Sequence, residues 1–464
     1  MNIKLISPRS TQRPMDSAFK AAMAPPLSLL VLGALTPNQH SVTVIDENVQ
    51  HLKLHDTPDC VGITVKVDTL PRAELIASHY RARGIPVIMG GIHPTACPED
   101  CIKHADSVVI GEAETIWPKL LEDLQNNQLQ KLYRNSEPPD MNKIPIPRYE
   151  LINQQRYLFT NTIRIGRGCP WRCDFCYNSS PNIENRYRTK SIPQIMREIE
   201  NLGTDHVMFI DDNFIGNPTF TRQLLPKLAD MNLTWHAAVS ADINRHQGLI
   251  ADMAASGCKS LFIGFESINA NSLKCCHKVQ NKAERYNQLV EEIHANNMMI
   301  NASLVFGFDS DDETVFDSSL QWLIEHKIAT MTAHILTPYP GTRLYTDLLK
   351  QGRITDHDLS HYNTSQVVFR PAGMSARTLE QGYRSIYRNF YSWKSILQRM
   401  PDTSTQRLAY LQFALFYRKF GKITSLAGKA MGMRRMAQLA RRIAYPSRRT
   451  PQKSPSPLRP ISVC

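Results

Sequence analysis

The chain has 464 residues, with 54 Lys and Arg against 42 Asp and Glu, a formal charge of +12. That length predicts two or three domains rather than one core, and 42% apolar with 21% charged residues excludes long-range disorder. The positive surplus lies in a tail: residues 422–464 hold ten basic side chains and no acid, leaving 44 basic against 42 acidic residues in the body, so a nucleic-acid partner is not expected.

Residues 1–125 alternate strand-like runs (Lys4–Ile6, Val42–Ile45, Cys60–Val65, Pro86–Met89, Ser107–Ile110) with helical ones (Leu27–Leu35, Arg72–Arg83, Thr115–Asn126). Short Val/Ile-rich strands separated by amphipathic helices predict an α/β fold with a parallel, doubly wound, Rossmann-like sheet. Such a sheet binds ligands at the carboxyl ends of its strands, where Gly90 and Gly91 would let a ligand approach the backbone; an ordinary tight turn is the plain alternative. The apolar stretch Pro25–Leu35 follows a strand and suits a helix start better than a signal peptide. No run reaches the roughly 18 apolar residues of a spanning helix, which predicts a cytoplasmic protein.

A Pro-rich linker (Pro138–Pro147) precedes six further strand–helix units between Thr162 and Lys350. Six units predict a partial (β/α)6 TIM-type barrel with its chemistry at the carboxyl ends of the strands. Cys169, Cys173 and Cys176 follow the first strand, Asp211-Asp212-Asn213 the second, Ser240 and Asp242 the third, Glu266 the fourth and Gly307 the fifth. Residues 376–442 read as helical, with Tyr383, Tyr387, Phe390, Tyr391 and Trp393 as a core stripe. The expected organisation is a ligand-binding domain over 1–137, a linker over 138–155, the barrel over 156–355, a helical region over 356–445 and a disordered Pro/Ser/Arg-rich end over 446–464.

The segment Arg167-Gly168-Cys169-Pro170-Trp171-Arg172-Cys173-Asp174-Phe175-Cys176 carries the strongest chemical signal. Three thiolates on one short loop can wrap a cubic iron–sulfur cluster, each holding one iron and leaving the fourth open. A structural zinc site usually brings two separated pairs, and no second Cys-x-x-Cys pair exists in the chain. The other early and middle cysteines (60, 97, 101, 258, 275, 276) read as small buried hydrophobes.

The x3–x2 cysteine spacing, with an aromatic residue before the last cysteine, resembles the signature of the radical S-adenosylmethionine (SAM) superfamily. Phe209–Phe214, Gly264–Ser267, Pro338–Thr342, Gly90–Thr95 and Gly111–Glu114 are similar to segments of its members with an N-terminal cobalamin-binding-type domain, a group that includes anaerobic Mg-protoporphyrin monomethyl ester cyclases and hopanoid methylases. The resemblance implies a [4Fe-4S] cluster on Cys169, Cys173 and Cys176, whose open iron chelates SAM. One electron would then cleave SAM to methionine and a 5′-deoxyadenosyl radical. It further implies cobalamin, and an electron donor such as flavodoxin or ferredoxin.

Asp211, Asp212, Ser240, Glu266 and Gly307 are the candidate SAM contacts, with Gly90 and Gly91 on the cobalamin side; no catalytic acid or base is assigned. Two departures stand out. The usual Gly-Gly-Glu that receives the SAM amino group is replaced by Asp211-Asp212-Asn213, and the Asp-x-His-x-x-Gly motif of a lower axial histidine is absent, with His93 the nearest candidate. The expected activity is methyl transfer to an unactivated carbon of a small or lipophilic metabolite. The alternatives are a radical SAM cyclase or oxidoreductase, a tRNA methylthiotransferase, and an iron–sulfur electron carrier. In the tail, Leu426, Ala430, Met433, Ala437 and Ala440 recur at helical spacing among arginines, a pattern that predicts peripheral contact with an anionic membrane, or else a solvated basic extension.

Overall fold

A computed structural model describes residues 1–14, 22–417, 430 and 432–444. The first sheet is built from β1 (Asn2–Ser7), β2 (Ser41–Asp46), β3 (Cys60–Thr64), β4 (Val87–Gly90), β5 (Ser107–Ile110) and β6 (Leu132–Arg134), with helices α1 (Leu27–Leu35), α2 (Leu70–Arg81), α3 (Ile92–Ala96), α4 (Pro98–Ile102) and α5 (Trp117–Gln125). Its order is β2-β1-β3-β4-β5-β6, with every pair parallel. The direction of winding reverses between β1 and β3, the position at which sheets of this order hold ligands. Buried helices on both faces explain why these strands are continuous apolar runs. Strand β6 went unpredicted because only Tyr133 of its three residues is buried.

The second sheet uses β7 (Thr162–Ile163), β10 (His206–Phe209), β11 (Thr234–Ser240), β12 (Cys258–Glu266), β13 (Met299–Phe306) and β14 (Thr330–Ile335). Their order, β14-β13-β12-β11-β10-β7, again all parallel, is the expected six-stranded barrel. Helices α6 (Ile192–Leu202), α7 (Pro218–Asp230), α8 (Leu249–Ala255), α9 (Ala270–Cys275), α10 (Tyr286–Ala295), α11 (Val315–Glu325) and α12 (Arg343–Lys350) cover it. The outer-facing members of each strand, such as Leu261, Ile263 and Phe265 of β12, join these helices in the main core. The alternate set faces the concave side. The first barrel strand ends at Ile163, and Gly166-Arg167 leave it as β8 and pair antiparallel with β9 (Arg188–Thr189).

The C-terminal helices α13 (Ala376–Phe390), α14 (Trp393–Gln398), α15 (Ser404–Tyr417) and α16 (Met433–Ala444) follow. Tyr383, Tyr387, Phe390 and Tyr391 are core as predicted, whereas Trp393 is exposed. Two of these tyrosines also protect the free edge of β14. The Tyr387 hydroxyl accepts from Ala333 N at 2.9 Å and donates to Ala333 O, and Tyr391 does the same at Met331. An exposed strand edge is thereby closed without a further strand.

The apolar stripe expected in the tail packs inward. Met433, Met436 and Ala437 lie against Leu158 and Phe159, and Arg441 donates to Leu158 O at 3.2 Å. Arg435, Leu439, Arg442 and Ile443 remain exposed. Leu426 and the 446–464 end lie outside the described residues.

Candidate active site at the cysteine loop

The cysteine loop starts from β7 and is fixed by Asp211. This buried carboxylate accepts from Ile165 N at 3.1 Å and from Gly166 N. Burial raises its pKa to about 7 against those two hydrogen bonds. Gly168 then turns with φ +83 where a β-carbon would collide with the carbonyl of Arg186, so the turn needs glycine. Cys169 N bonds Asn185 O and Cys176 N bonds Cys173 O at 2.9 Å, which curls the loop on itself. At its root Arg167 pairs with Glu112 at 2.6 Å and with Glu114, and Arg188 also pairs with Glu112. The Gly111–Glu114 loop of the first sheet therefore clamps the base of the cysteine loop.

Cys173 is buried and Cys169 and Cys176 are half-buried; all three are free thiols. Burial pushes the Cys169 thiol up to about 11 and Cys176 to about 12. Charged side chains act on them. Asp212, exposed beside buried Asp211, raises Cys169 and Cys176, while buried Lys278 favours the Cys173 thiolate against Glu266 and Asp174. Lys278 donates to Glu266, and Gln280 donates through Nε2 to Cys173 Sγ at 3.6 Å. Among the described residues, no three His, Cys, Asp or Glu side chains converge on a single ion. A four-iron cluster requires a different arrangement, since each thiolate takes its own iron at a separate corner of a cube.

Several buried polar atoms near this loop lack any partner, among them Tyr187 OH beside Cys169, Gln280 Oε1, and Tyr177 OH, whose ring stacks on Tyr339 and which lies toward Cys97. Buried atoms of this kind are rare in a finished fold and mark places where a ligand completes the bonding. The donor set, the charges and these open atoms fit a cluster with an amino-acid-bearing ligand on it.

The remaining candidates divide. Asp211 is occupied by backbone, which leaves Asp212 as the acid open to a ligand. Ser240 belongs to a hydrogen-bonded group with Asn213 and Asp242 at the end of β11. Glu266, at φ +63, holds Lys278. At Gly307 a β-carbon would sit 2.7 Å from Leu379 of α13, and its N–H is taken by Asp311 at 2.9 Å. At Gly91, φ +113, a β-carbon would sit 2.9–3.0 Å from atoms of Val65 and Thr64, whereas one on Gly90 would make ordinary contact with Val109. The turn itself requires glycine at position 91. His93 is fully buried on α3, with Nε2 3.3 Å from Asp100 and neither ring nitrogen in a hydrogen bond. Cys60, Cys97, Cys101, Cys258 and Cys276 are buried as expected.

The radical SAM superfamily model matches residues 163–319, and the B12 binding domain model matches residues 21–121. The chain is a radical SAM protein with a B12-binding domain. Its cofactors are accordingly a [4Fe-4S] cluster, SAM and cobalamin. A domain of unknown function (DUF4070) matches 342–427. The chain is 27% identical over 425 residues to the bacteriochlorophyllide d C-12(1)-methyltransferase of Chlorobaculum tepidum, covering 89% of this chain and 92% of that protein. It is 22% identical to the anaerobic magnesium-protoporphyrin IX monomethyl ester cyclase of Rubrivivax gelatinosus, covering 84% and 77%. Among solved structures, the radical SAM methyltransferase TsrM of Kitasatospora setae shares the fold, with a TM-score of 0.64 at 15% identity, covering 92% of this chain and 99% of that one.

Proposed function

We propose that the protein is a cobalamin-dependent radical SAM methyltransferase acting on an unactivated carbon of a small, lipophilic metabolite. The observation that carries this reading is the cysteine loop, flanked by one open carboxylate and one buried ammonium. Cys169, Cys173 and Cys176 would hold the cluster, which when bound supplies the electron that cleaves SAM. Asp212 can accept from the amino group of SAM, and Lys278, shared with Glu266, can face its carboxylate. The Asp211 clamp and the Arg167–Glu112–Arg188 group keep the loop in place against the first sheet, whose winding reversal at β1 and β3 is the natural seat for cobalamin.

The concave face of the barrel supports the substrate class. Phe262 lies in the middle of β12, between Ala238 and Asn301 on neighbouring strands, yet is 37% exposed. A large apolar side chain open at the centre of a covered sheet suits an apolar substrate. The methyltransferase of Chlorobaculum tepidum makes tetrapyrroles the first class to test.

The experiment is an anaerobic assay of reconstituted, cobalamin-loaded chain with dithionite, bacteriochlorophyllide d and SAM labelled in its methyl group. Label in the product is expected. A modified product without label would move the reading to cyclisation or oxidation, which the cyclase relative supports. Absence of 5′-deoxyadenosine and of product would sink both. In the cell, flavodoxin or ferredoxin is the electron donor of choice. No helix among the described residues is long and apolar enough to cross a membrane. Peripheral contact would rest on Arg435, Leu439, Arg442 and Ile443 together with the basic end. Deleting 422–464 should reduce pelleting with anionic liposomes, and unchanged pelleting would defeat that contact.

A further inference from the structure

We propose that Gln280 sets the reduction potential of the cluster by donating its side-chain amide hydrogen to the thiolate of Cys173. The inference rests on the cluster reading above and adds a role for a residue outside the cysteine loop.

Gln280 is 3% exposed, and its single side-chain hydrogen bond goes from Nε2 to Cys173 Sγ at 3.6 Å. Its Oε1 is buried without a partner. A primary amide removed from water with one weak bond to a neutral thiol is a net cost to folding. That cost is offset once Cys173 is a metal-bound thiolate, because a hydrogen bond to a charged acceptor is roughly twice as strong. The side chain is also held in place beforehand. Its neighbour Asn281 bonds Gly264 O, Phe265 O and Tyr286 OH at 2.8–2.9 Å, and Lys278, two residues earlier, is fastened to Glu266. Gln280 therefore reaches the sulfur from a segment pinned to the end of β12.

The consequence is electrostatic. Reduction adds one negative charge to the cluster and its thiolates. A donor aimed at a ligand sulfur stabilises the more negative state and raises the potential. Gln280 is thus a positioning and tuning residue: the electron is accepted at a poise that its N–H helps to fix.

The test uses the full chain, reconstituted anaerobically without SAM, as wild type, Gln280→Leu and Gln280→Glu. Iron and sulfide per chain are measured first, then the potential by a redox titration followed by electron paramagnetic resonance. All three should load equal iron. At the poise where wild type is half reduced, Gln280→Leu should show a three- to tenfold lower ratio of reduced to oxidised cluster, tenfold being 59 mV for one electron. Gln280→Glu, which loses the donor and adds charge, should fall further. Loaded variants titrating with wild type would overturn the proposal. Should the variants fail to load, wild type carrying 15N in its glutamine side chains decides: hyperfine coupling of that nitrogen to the reduced cluster is expected, and its absence is equally fatal. A wild-type chain that takes up no iron would refute the cluster reading itself, and this role with it.

Discussion

The two ends of the barrel are built from the same six strands and use their buried polar groups differently. At the amino end a buried arginine ties three carbonyls together, although Asn161 Oδ1 and Thr162 Oγ1 at the start of β7 are buried without a partner. Arg399, fully buried, donates to Ile328 O at 2.6 Å, Ala329 O at 3.0 Å and Phe390 O at 2.7 Å, and its guanidinium lies 3.5 Å over the Phe390 ring. At the carboxyl end Tyr177, Tyr187 and Gln280 keep buried atoms without partners, and burial holds Asp211 at a raised pKa. Both ends hold unpartnered buried atoms; the carboxyl end differs in gathering them around three thiols and a carboxylate of raised pKa, which is where a barrel keeps its chemistry.

The largest effect that tests this contrast is the loss of a cluster ligand. Cys173→Ala should abolish bound iron and lower SAM cleavage by several orders of magnitude while far-ultraviolet circular dichroism stays unchanged. Cys276, also buried and close enough to act on Cys173, is the control. Cys276→Ala should keep its iron and lose about 1 kcal/mol of stability as a buried hydrophobe. Iron loss in both variants would place Cys276 in the site and break the division.

At the opposite end the order inverts. Arg399→Met leaves three buried carbonyls short of a donor and should destabilise by about 4 kcal/mol, since each costs about 1–3 kcal/mol less some relaxation. Iron content per folded chain should not change. Denaturant unfolding followed by circular dichroism, with iron assayed in parallel, reads both; an Arg399 variant that folds normally but loses iron would erase the distinction.

Asp211 sits between these cases, as a buried carboxylate whose stability cost is tied to pH. Its folded pKa of about 7 lies above the usual value of 3.8, so between those values the folded state binds more protons than the unfolded one. Stability from this group is complete below about pH 4 and declines until about pH 7, by on the order of 4 kcal/mol. Asp211→Asn should remove that slope, read as the melting temperature of the metal-free chain from pH 4 to 8. A variant with the same slope as wild type would assign the pH dependence to another group.

How much of this was legible beforehand depends on distance along the chain. The cysteine loop and both sheets were readable, because ligand spacing and apolar periodicity are local signals. Lys278 and Gln280 stand more than a hundred residues from Cys173, and only the closing of the barrel brings them to it. Nothing in a lone lysine or glutamine marks them in advance. Asp211 and Asp212 are indistinguishable in sequence; their roles part because one carboxylate turns back under Gly166 and the other does not. Gly307 and Gly91 show the same limit: glycine announces a close approach without saying by what, and here the approaching groups include Leu379 and the chain's own backbone. The Gly111–Glu114 and cysteine segments were both marked in the sequence, but the Arg167–Glu112 pair that joins them spans 55 residues and left no local sign.

The smallest effect concerns the edge of the barrel midway between the two ends. Tyr391 OH accepts from Met331 N at 3.1 Å and donates to Met331 O at 2.7 Å, standing in for a seventh strand. Tyr391→Phe keeps the ring in the core and removes only that hydroxyl, so one backbone donor and one acceptor of β14 lose their partner. Both groups sit at an edge where water can enter once the hydroxyl is gone, so the expected cost is about 1–2 kcal/mol rather than the full penalty for two orphaned groups. Hydrogen exchange gives the sharper reading. The Met331 amide should exchange faster in Tyr391→Phe, whereas Ala333, held by Tyr387, should keep its protection. Equal acceleration at both amides would mean that α13 has lifted from the edge as a unit, and that the tyrosines hold the helix rather than the strand.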